Sequence, residues 1–176
     1  MNEPEVSVHV GYAREMARSL LKDIDKNALP VKLSKVIAEI KKYDLLSVKG
    51  MDFDKLDGIN MRVGEEYRIY FNKNKHIHRN RFTVAHELGH HVLCHTKKTY
   101  SPADFYSSDP EEKEANEFAA ELLIPTKMLK QFYREGLKIP DLSQLFCVSP
   151  DALSIKIGSC GLLSSKSQKH VDSIWS

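Results

Sequence analysis

"FTVAHELGHHVLCH", residues 82–95, holds four of the chain's eight histidines, and a glutamate follows the first of them. His86-Glu87-Leu88-Gly89-His90 is an H-E-x-x-H motif. Phe82, Ala85, Leu88 and Val92 recur at helical spacing, which predicts a helix from Arg81 to about His95. Residues four apart on a helix lie about 40° apart around its axis and one turn apart along it. Both imidazoles therefore leave the same face and can bind one Zn²⁺, while Glu87 sits beside the metal water as its proton acceptor. The apolar residues on the helix's other face bury it in a core. Gly89 leaves room close to the metal face.

A catalytic zinc takes three protein ligands and keeps one position open. A histidine further along the same helix would extend the motif to H-E-x-x-H-x-x-G-x-x-H. Here Leu93 and Thr96 stand where the glycine and the last histidine would be. His91 points about 100° away from His90, and His95 about 140° off the metal face. Both read as surface residues or as supports behind the ligands. The other source of a third ligand is a glutamate on a following helix, and "EKEAN" (112–116) supplies it. Glu112 and Asn116 share a face, so one can ligate while the other hydrogen-bonds a ligand imidazole. Glu111, Glu114 and Glu117 are rivals that lie 100° or so off that face. Glu112 is the favoured ligand, although a glutamate in a first helical turn is ordinary in itself.

Working outward, residues 12–22 and 31–43 carry apolar residues at spacings of three and four and read as amphipathic helices, with Pro30 at the second helix's first turn. "LLSVKGM" (45–51) is a strand candidate. "INMRVGEEYRIYFNK" (59–73) reads as an antiparallel hairpin turning at Gly64-Glu65. Residues 73–80 read as a polar connection and 96–110 as a loop. Asp109-Pro110 then starts a helix that runs to Pro125, and "TKMLKQFYREG" forms another, closed by Gly136. "DLSQLFCVSPDALSIKIGSCG" looks like helix, turn, helix, followed by a frayed Ser/Lys-rich tail after Leu163. The expected fold is α+β: a mainly helical domain with a small antiparallel sheet packed on the H-E-x-x-H helix. Residues 1–139 would form this zincin-like domain and 140–176 a helical appendage.

At 176 residues the chain can bury a proper core. Its net charge of +2 makes no case for nucleic acid or membrane as partner. It contains no apolar run long enough to span a bilayer, and its polar, acidic start lacks the pattern of a signal peptide. The expected compartment is the cytosol. Cys94, Cys147 and Cys160 form no C-x-x-C and suit reduced thiols. Oligomeric state is not readable.

"RFTVAHELGHHVLCH" followed by "EKEANEFAAELLIP" resembles the ImmA/IrrE family of metallo-endopeptidases. The first segment matches that family's R-F-T-x-A-H-E-x-G-H core, and the second its E-x-E-A-N-x-F-A-x-x-L-L-x-P segment. The resemblance extends over roughly residues 30–160. It implies a gluzincin-like zinc protease with His86, His90 and Glu112 as ligands and Glu87 as general base. Studied members of the family cut a helix-turn-helix transcriptional repressor, so the implied partner is such a protein. The resemblance does not identify the group that assists at the oxyanion. Tyr67, Tyr70, Tyr100, Tyr106, His76, His78 and Arg79 are candidates from the residues alone. An exposed strand of the 59–73 hairpin is a candidate to hold an extended substrate by strand addition.

Two rival readings belong to other classes. The C-terminal helix-turn-helix could read DNA, but its second helix offers only Lys156 as a cation, and phosphate contacts need several. Zinc could be purely structural, but such a site would have no use for Glu87 and would close its fourth position with a protein ligand.

Overall fold

In the computed structural model, which describes residues 8–22, 28–95, 99–100 and 109–162, the central element is α3, Ile77–Val92. It begins four residues before the expected start. The His76 ring caps it by accepting from the His78 amide at 3.2 Å. The run 77–80 thus forms the first turn of α3 instead of a connection; it is held by polar contacts such as Arg79 to the buried Asp57, which leave no apolar periodicity in the sequence. Before α3 come α1 (Val10–Leu21), α2 (Leu33–Ile40), β1 (Leu46–Met51), β2 (Gly58–Val63) and β3 (Glu66–Asn72). After it come β4 (Thr99–Tyr100), α4 (Pro110–Leu123), α5 (Thr126–Arg134), α6 (Ile139–Phe146) and α7 (Pro150–Ser159). The fold is α+β. Pro30 precedes the α2 N-cap Lys32 by two residues, outside the first turn where the sequence pattern puts it. The two-residue β4 lies within the expected 96–110 loop, whose remaining residues up to 108 fall outside the described part, as does the tail after Leu162.

The sheet has the order β1-β3-β2-β4. β2 and β3 form the expected hairpin, with Val63 opposite Glu66 and Gly64 at φ 62° in the turn. The sheet is mixed, which corrects the expectation of an antiparallel one: β1 pairs parallel with β3, Leu46 opposite Tyr67 and Val48 opposite Ile69. The chain passes from β1 over the end of β3 to reach β2, and Asn72 holds this crossing by donating to the carbonyls of Phe53 at 2.8 Å and Leu56 at 3.0 Å. Patterning within each strand fixes its faces but not its neighbours, so a crossing of this kind leaves no periodic trace. β4 pairs with Gly58 and Ile59 on the other edge of β2, so that edge is not wholly open to a substrate strand.

α3 meets different neighbours on different faces. Thr83, Glu87 and His91, four apart, look toward the sheet: Thr83 abuts Gly58, Glu87 meets Asn60, and the His91 ring lies 4.3 Å from that of Tyr67. A Cβ at Gly58 would stand 2.4 Å from Thr83 Cγ2, so only glycine lets β2 lie this close to the helix. His86, Gly89 and His90 look toward α4. Small residues also dock α1 on α4 through Ala13 and Ala17, both buried. Phe118, Leu122, Phe146, Leu153 and Ile157 share one core cluster with Leu88 and Ile69, so α6 and α7 pack into the same core as the elements before them. The turn between α6 and α7 passes through Cys147 in the left-handed region, φ 53°. Ser149 then caps α7 by accepting from the Ala152 amide at 3.2 Å. No described helix is long and apolar enough to cross a membrane.

Candidate metal centre

α3 delivers His86 and His90 from one face, and their Nε2 atoms stand 3.0 Å apart. α4 delivers Glu112, whose Oε2 lies 3.3 Å from His86 Nε2 and whose Oε1 lies 3.2 Å from His90 Nε2. All three residues are buried, and among the described residues they are the group whose donor atoms could hold a metal ion, lying within 4.8 Å of one another. Bonds of about 2.0–2.1 Å at tetrahedral angles put neighbouring donor atoms about 3.3 Å apart. The observed separations are close to that spacing, with His86 and His90 facing different oxygens of Glu112, and two imidazoles and a carboxylate so gathered fit a small divalent ion.

The close approach of α4 has a local cause. Gly89 faces α4, and a Cβ there would sit 3.1 Å from Phe118 Cδ1 and 3.2 Å from Ala115 Cα. The glycine therefore makes room for the neighbouring helix, and so for Glu112. Asp109 accepts from the Glu111 amide at 2.9 Å and Pro110 occupies the first turn, which fixes where α4 begins. Asn116, one turn after Glu112, places Oδ1 3.0 Å from His86 Nδ1.

Burial lowers the His86 pKa to about 4, outweighing the Glu112 hydrogen bond that favours its charged form. The ring is thus neutral, with a lone pair to give, across the neutral range. Burial by itself would raise the Glu112 carboxyl. The close approach of the His86 and His90 rings more than offsets that and holds it far below the usual carboxylate range. Both groups are accordingly in the protonation state that a cation requires.

Glu87 is fully buried beside this cluster, and its Oε2 accepts from Asn60 Nδ2. Asn60 has no part in the sequence reading above. Its signal is a polar residue at an inward position of the hairpin, directly opposite the buried Ile69. His95 returns to the site despite the helical projection, with its Nδ1 3.0 Å from His90 Nδ1. His91 turns to the sheet and reaches Asp44 Oδ2 at 3.3 Å.

The rival glutamates are placed elsewhere. Glu114 Oε2 lies 3.0 Å from His95 Nε2, Glu117 pairs with Arg14 at 2.8 Å, and Glu111 sits in the first turn of α4. Of the oxyanion candidates, Arg79 is committed to Asp57, with Nε 2.7 Å from its Oδ2. His76 and His78 stack edge to face at the start of α3. Tyr70 lies on the sheet face opposite to Asn60. Tyr67 lies on the α3 face with a buried hydroxyl, and burial together with the Glu87 charge pushes its phenol up. Tyr106 and the side chain of Tyr100 fall outside the described residues. Lys156 is buried, with Nζ 2.8 Å from Glu121 Oε2, so it is not presented to a phosphate.

Comparison with known proteins agrees with this geometry. The family model described as Peptidase_M78: IrrE N-terminal-like domain matches residues 41–157, from the end of α2 into α7. The chain is similar to Metallopeptidase ImmA of Bacillus subtilis (strain 168), at 27% identity over 113 residues. That alignment covers 62% of this chain and 66% of the relative, just under two thirds of its length.

Proposed function

The chain belongs to the Peptidase_M78 family, described as the IrrE N-terminal-like domain, and from that premise we propose that it is a zinc-dependent endopeptidase acting on a specific protein target. The observation that carries this reading is the buried His86–His90–Glu112 cluster with Glu87 beside it but outside the ligand set. Three protein donors leave a fourth position for water, as a catalytic zinc requires and a structural one does not. When bound, the ion supplies a Lewis acid that acidifies water and polarises a carbonyl.

The protein's own groups do the rest. His86 and His90 present Nε2, and Asn116 accepts from the far nitrogen of His86 and keeps its ring oriented. Asn60 donates to the Glu87 carboxylate and helps fix its position. Glu87 takes a proton from the attacking water, whose oxygen bonds to the peptide carbonyl carbon. As the C–N bond breaks, Glu87 returns that proton to the leaving amine. The products are a new carboxyl end and a new amino end.

The family resemblance supports a helix-turn-helix transcriptional repressor as the target, in the cytosol. The test is to incubate the purified chain, loaded with one equivalent of zinc, with casein and separately with a repressor encoded beside it. Cleavage of the repressor at one or a few bonds, with casein largely intact, is the expected result. Efficient and unselective casein digestion would sink the regulatory reading, and no cleavage of either would sink the peptidase reading.

A further inference from the structure

The two imidazoles of the centre are supported differently, and the support of His90 reaches two residues deep. His90 Nδ1 lies 3.0 Å from His95 Nδ1, and His95 Nε2 lies 3.0 Å from Glu114 Oε2. Both outer residues are largely buried, with side chains 6% and 13% exposed. The other oxygen of Glu114, Oε1, accepts from the His9 amide at 2.6 Å, so the carboxylate is held from both sides.

We propose that His95 and Glu114 form a positioning pair that fixes the tautomer of His90 and aims its Nε2 at the metal. This inference rests on the metallopeptidase reading above, in which His90 is a ligand. The direction of the chain follows from donor chemistry. An ionised carboxylate only accepts, so Glu114 requires the proton of His95 to be on Nε2. A neutral His95 then has a bare Nδ1, which accepts from His90 Nδ1–H. That leaves the lone pair of His90 on Nε2, the atom that faces His86 and Glu112. A carboxylate behind the relay also makes the ligand imidazole a stronger base. Behind His86 the Asn116 amide oxygen stands 3.0 Å from Nδ1, a neutral acceptor where His90 has a ring backed by a carboxylate.

The backbone is built to bring His95 back. After Val92 the helix closes with Cys94 at φ 57°, the left-handed region usually occupied by glycine. The Cys94 amide donates to the His91 carbonyl at 3.1 Å and the His95 amide to the His90 carbonyl at 2.9 Å. These are the paired bonds of a helix-ending turn that reverses the chain. A continued helix would carry residue 95 about 140° from the metal face. The turn places its ring against His90 instead.

The experiment measures Zn²⁺ affinity of the full chain by competition with a chromophoric chelator, with no activity assay. His95→Ala is expected to weaken binding by about 10–100-fold. Glu114→Gln should weaken it through the same path, so the double variant loses no more than the larger single loss. Cys94→Gly, which suits the left-handed turn, should bind as the parent does. A purely structural role is separated by the imidazole N–H signals of the zinc-loaded protein. His90 Nδ1–H should be protected from exchange in the parent and lost in His95→Ala, while His86 Nδ1–H persists against Asn116. Parental affinity in His95→Ala, or full additivity in the double variant, would overturn the inference while leaving the metal centre standing. A parent that binds no zinc would overturn the metallopeptidase reading and this inference together.

Discussion

Gly89 of α3 and Ala115 of α4 meet backbone to backbone: a Cβ built on the glycine would lie 3.2 Å from Ala115 Cα and 3.3 Å from its carbonyl oxygen. This contact sets the distance between the helix that carries two donors and the helix that carries the third. Any side chain larger than hydrogen must part them, and Glu112 moves with α4. Gly89→Val should therefore cost about 1–3 kcal/mol as overpacking, despite gaining helix propensity. It should also reduce metal affinity, because Glu112 moves away from the two imidazoles. Denaturant unfolding with the metal chelated, alongside chelator competition, checks both parts. A stable Gly89→Val protein with parental metal affinity would mean that the helix contact does not hold the donors together.

Glu111, Glu112, Glu114 and Glu117 of α4 have four different surroundings, so single substitutions should separate cleanly. Glu112→Gln should lose the bound metal on dialysis, since it removes an anionic donor from between two imidazoles. Glu117→Gln breaks only a half-exposed pair with Arg14, of the kind worth about 0–1 kcal/mol, and should keep a full equivalent. Glu111→Gln should also keep it. Metal analysis after dialysis is the measurement, and loss of metal from Glu117→Gln with retention in Glu112→Gln would reassign the third donor.

How much of this was legible beforehand depends on the range of the contacts involved. His86 and His90 share a face because of helical geometry alone, which any four-residue spacing encodes. Glu112 and Asn116 share a face for the same reason, but their distance from His86 is set by Gly89 and Ala115, a packing contact between helices. A helix extended past Val92 would carry His95 off the metal face; its place behind His90, one of the two roles its spacing allows, comes from the left-handed turn at Cys94. A cysteine carries little of the turn signal that a glycine would. The parallel pairing of β1 depends on a crossover, and Asn60 meets Glu87 only because β2 lies on α3. These are tertiary facts that no local spacing records.

Glu121 is buried between α1, α5 and α7. It accepts from Arg18 Nε and Lys156 Nζ, each at 2.8 Å, and from the Thr126 hydroxyl at 2.5 Å. Burial alone would raise its carboxyl, but the hydrogen bond from Arg18 and the charge and hydrogen bond of Lys156 outweigh it and hold the pKa below that of an ordinary glutamate. A depressed carboxyl contributes stability that is present above its unfolded pKa and lost as pH falls through the folded one. Glu121→Gln should thus cost about 3–5 kcal/mol at neutral pH, because Lys156 stays buried without its counter-charge. The fall in stability below pH 4.5 should be shallower in the variant than in the parent. Denaturant midpoints of the metal-free proteins across pH 7 to 3 would show it; parallel curves for the two would remove Glu121 from the acid response.

The division of labour between Glu87 and the donor set gives the sharpest test of catalysis. Glu87 is fully buried and bonded to Asn60, yet it lies outside the His86–His90–Glu112 group. Glu87→Gln retains the shape of the side chain and an oxygen that can still accept from Asn60, but it removes the base. The variant should fold, keep one equivalent of metal and keep substrate affinity, while cleavage falls by at least ~10²–10⁴-fold, the usual worth of general-base catalysis. Asn60→Ala should do something different. It leaves the base in place but without the Asn60 hydrogen bond, so kcat should fall by less, with KM and metal content near the parent values. Titrating the metal and timing cleavage of the same target with all three proteins distinguishes these outcomes. Cleavage by Glu87→Gln at the parental rate would mean that the buried carboxylate is not the proton acceptor. The centre would then be a metal site without a peptidase base, and the structural-metal reading would take its place.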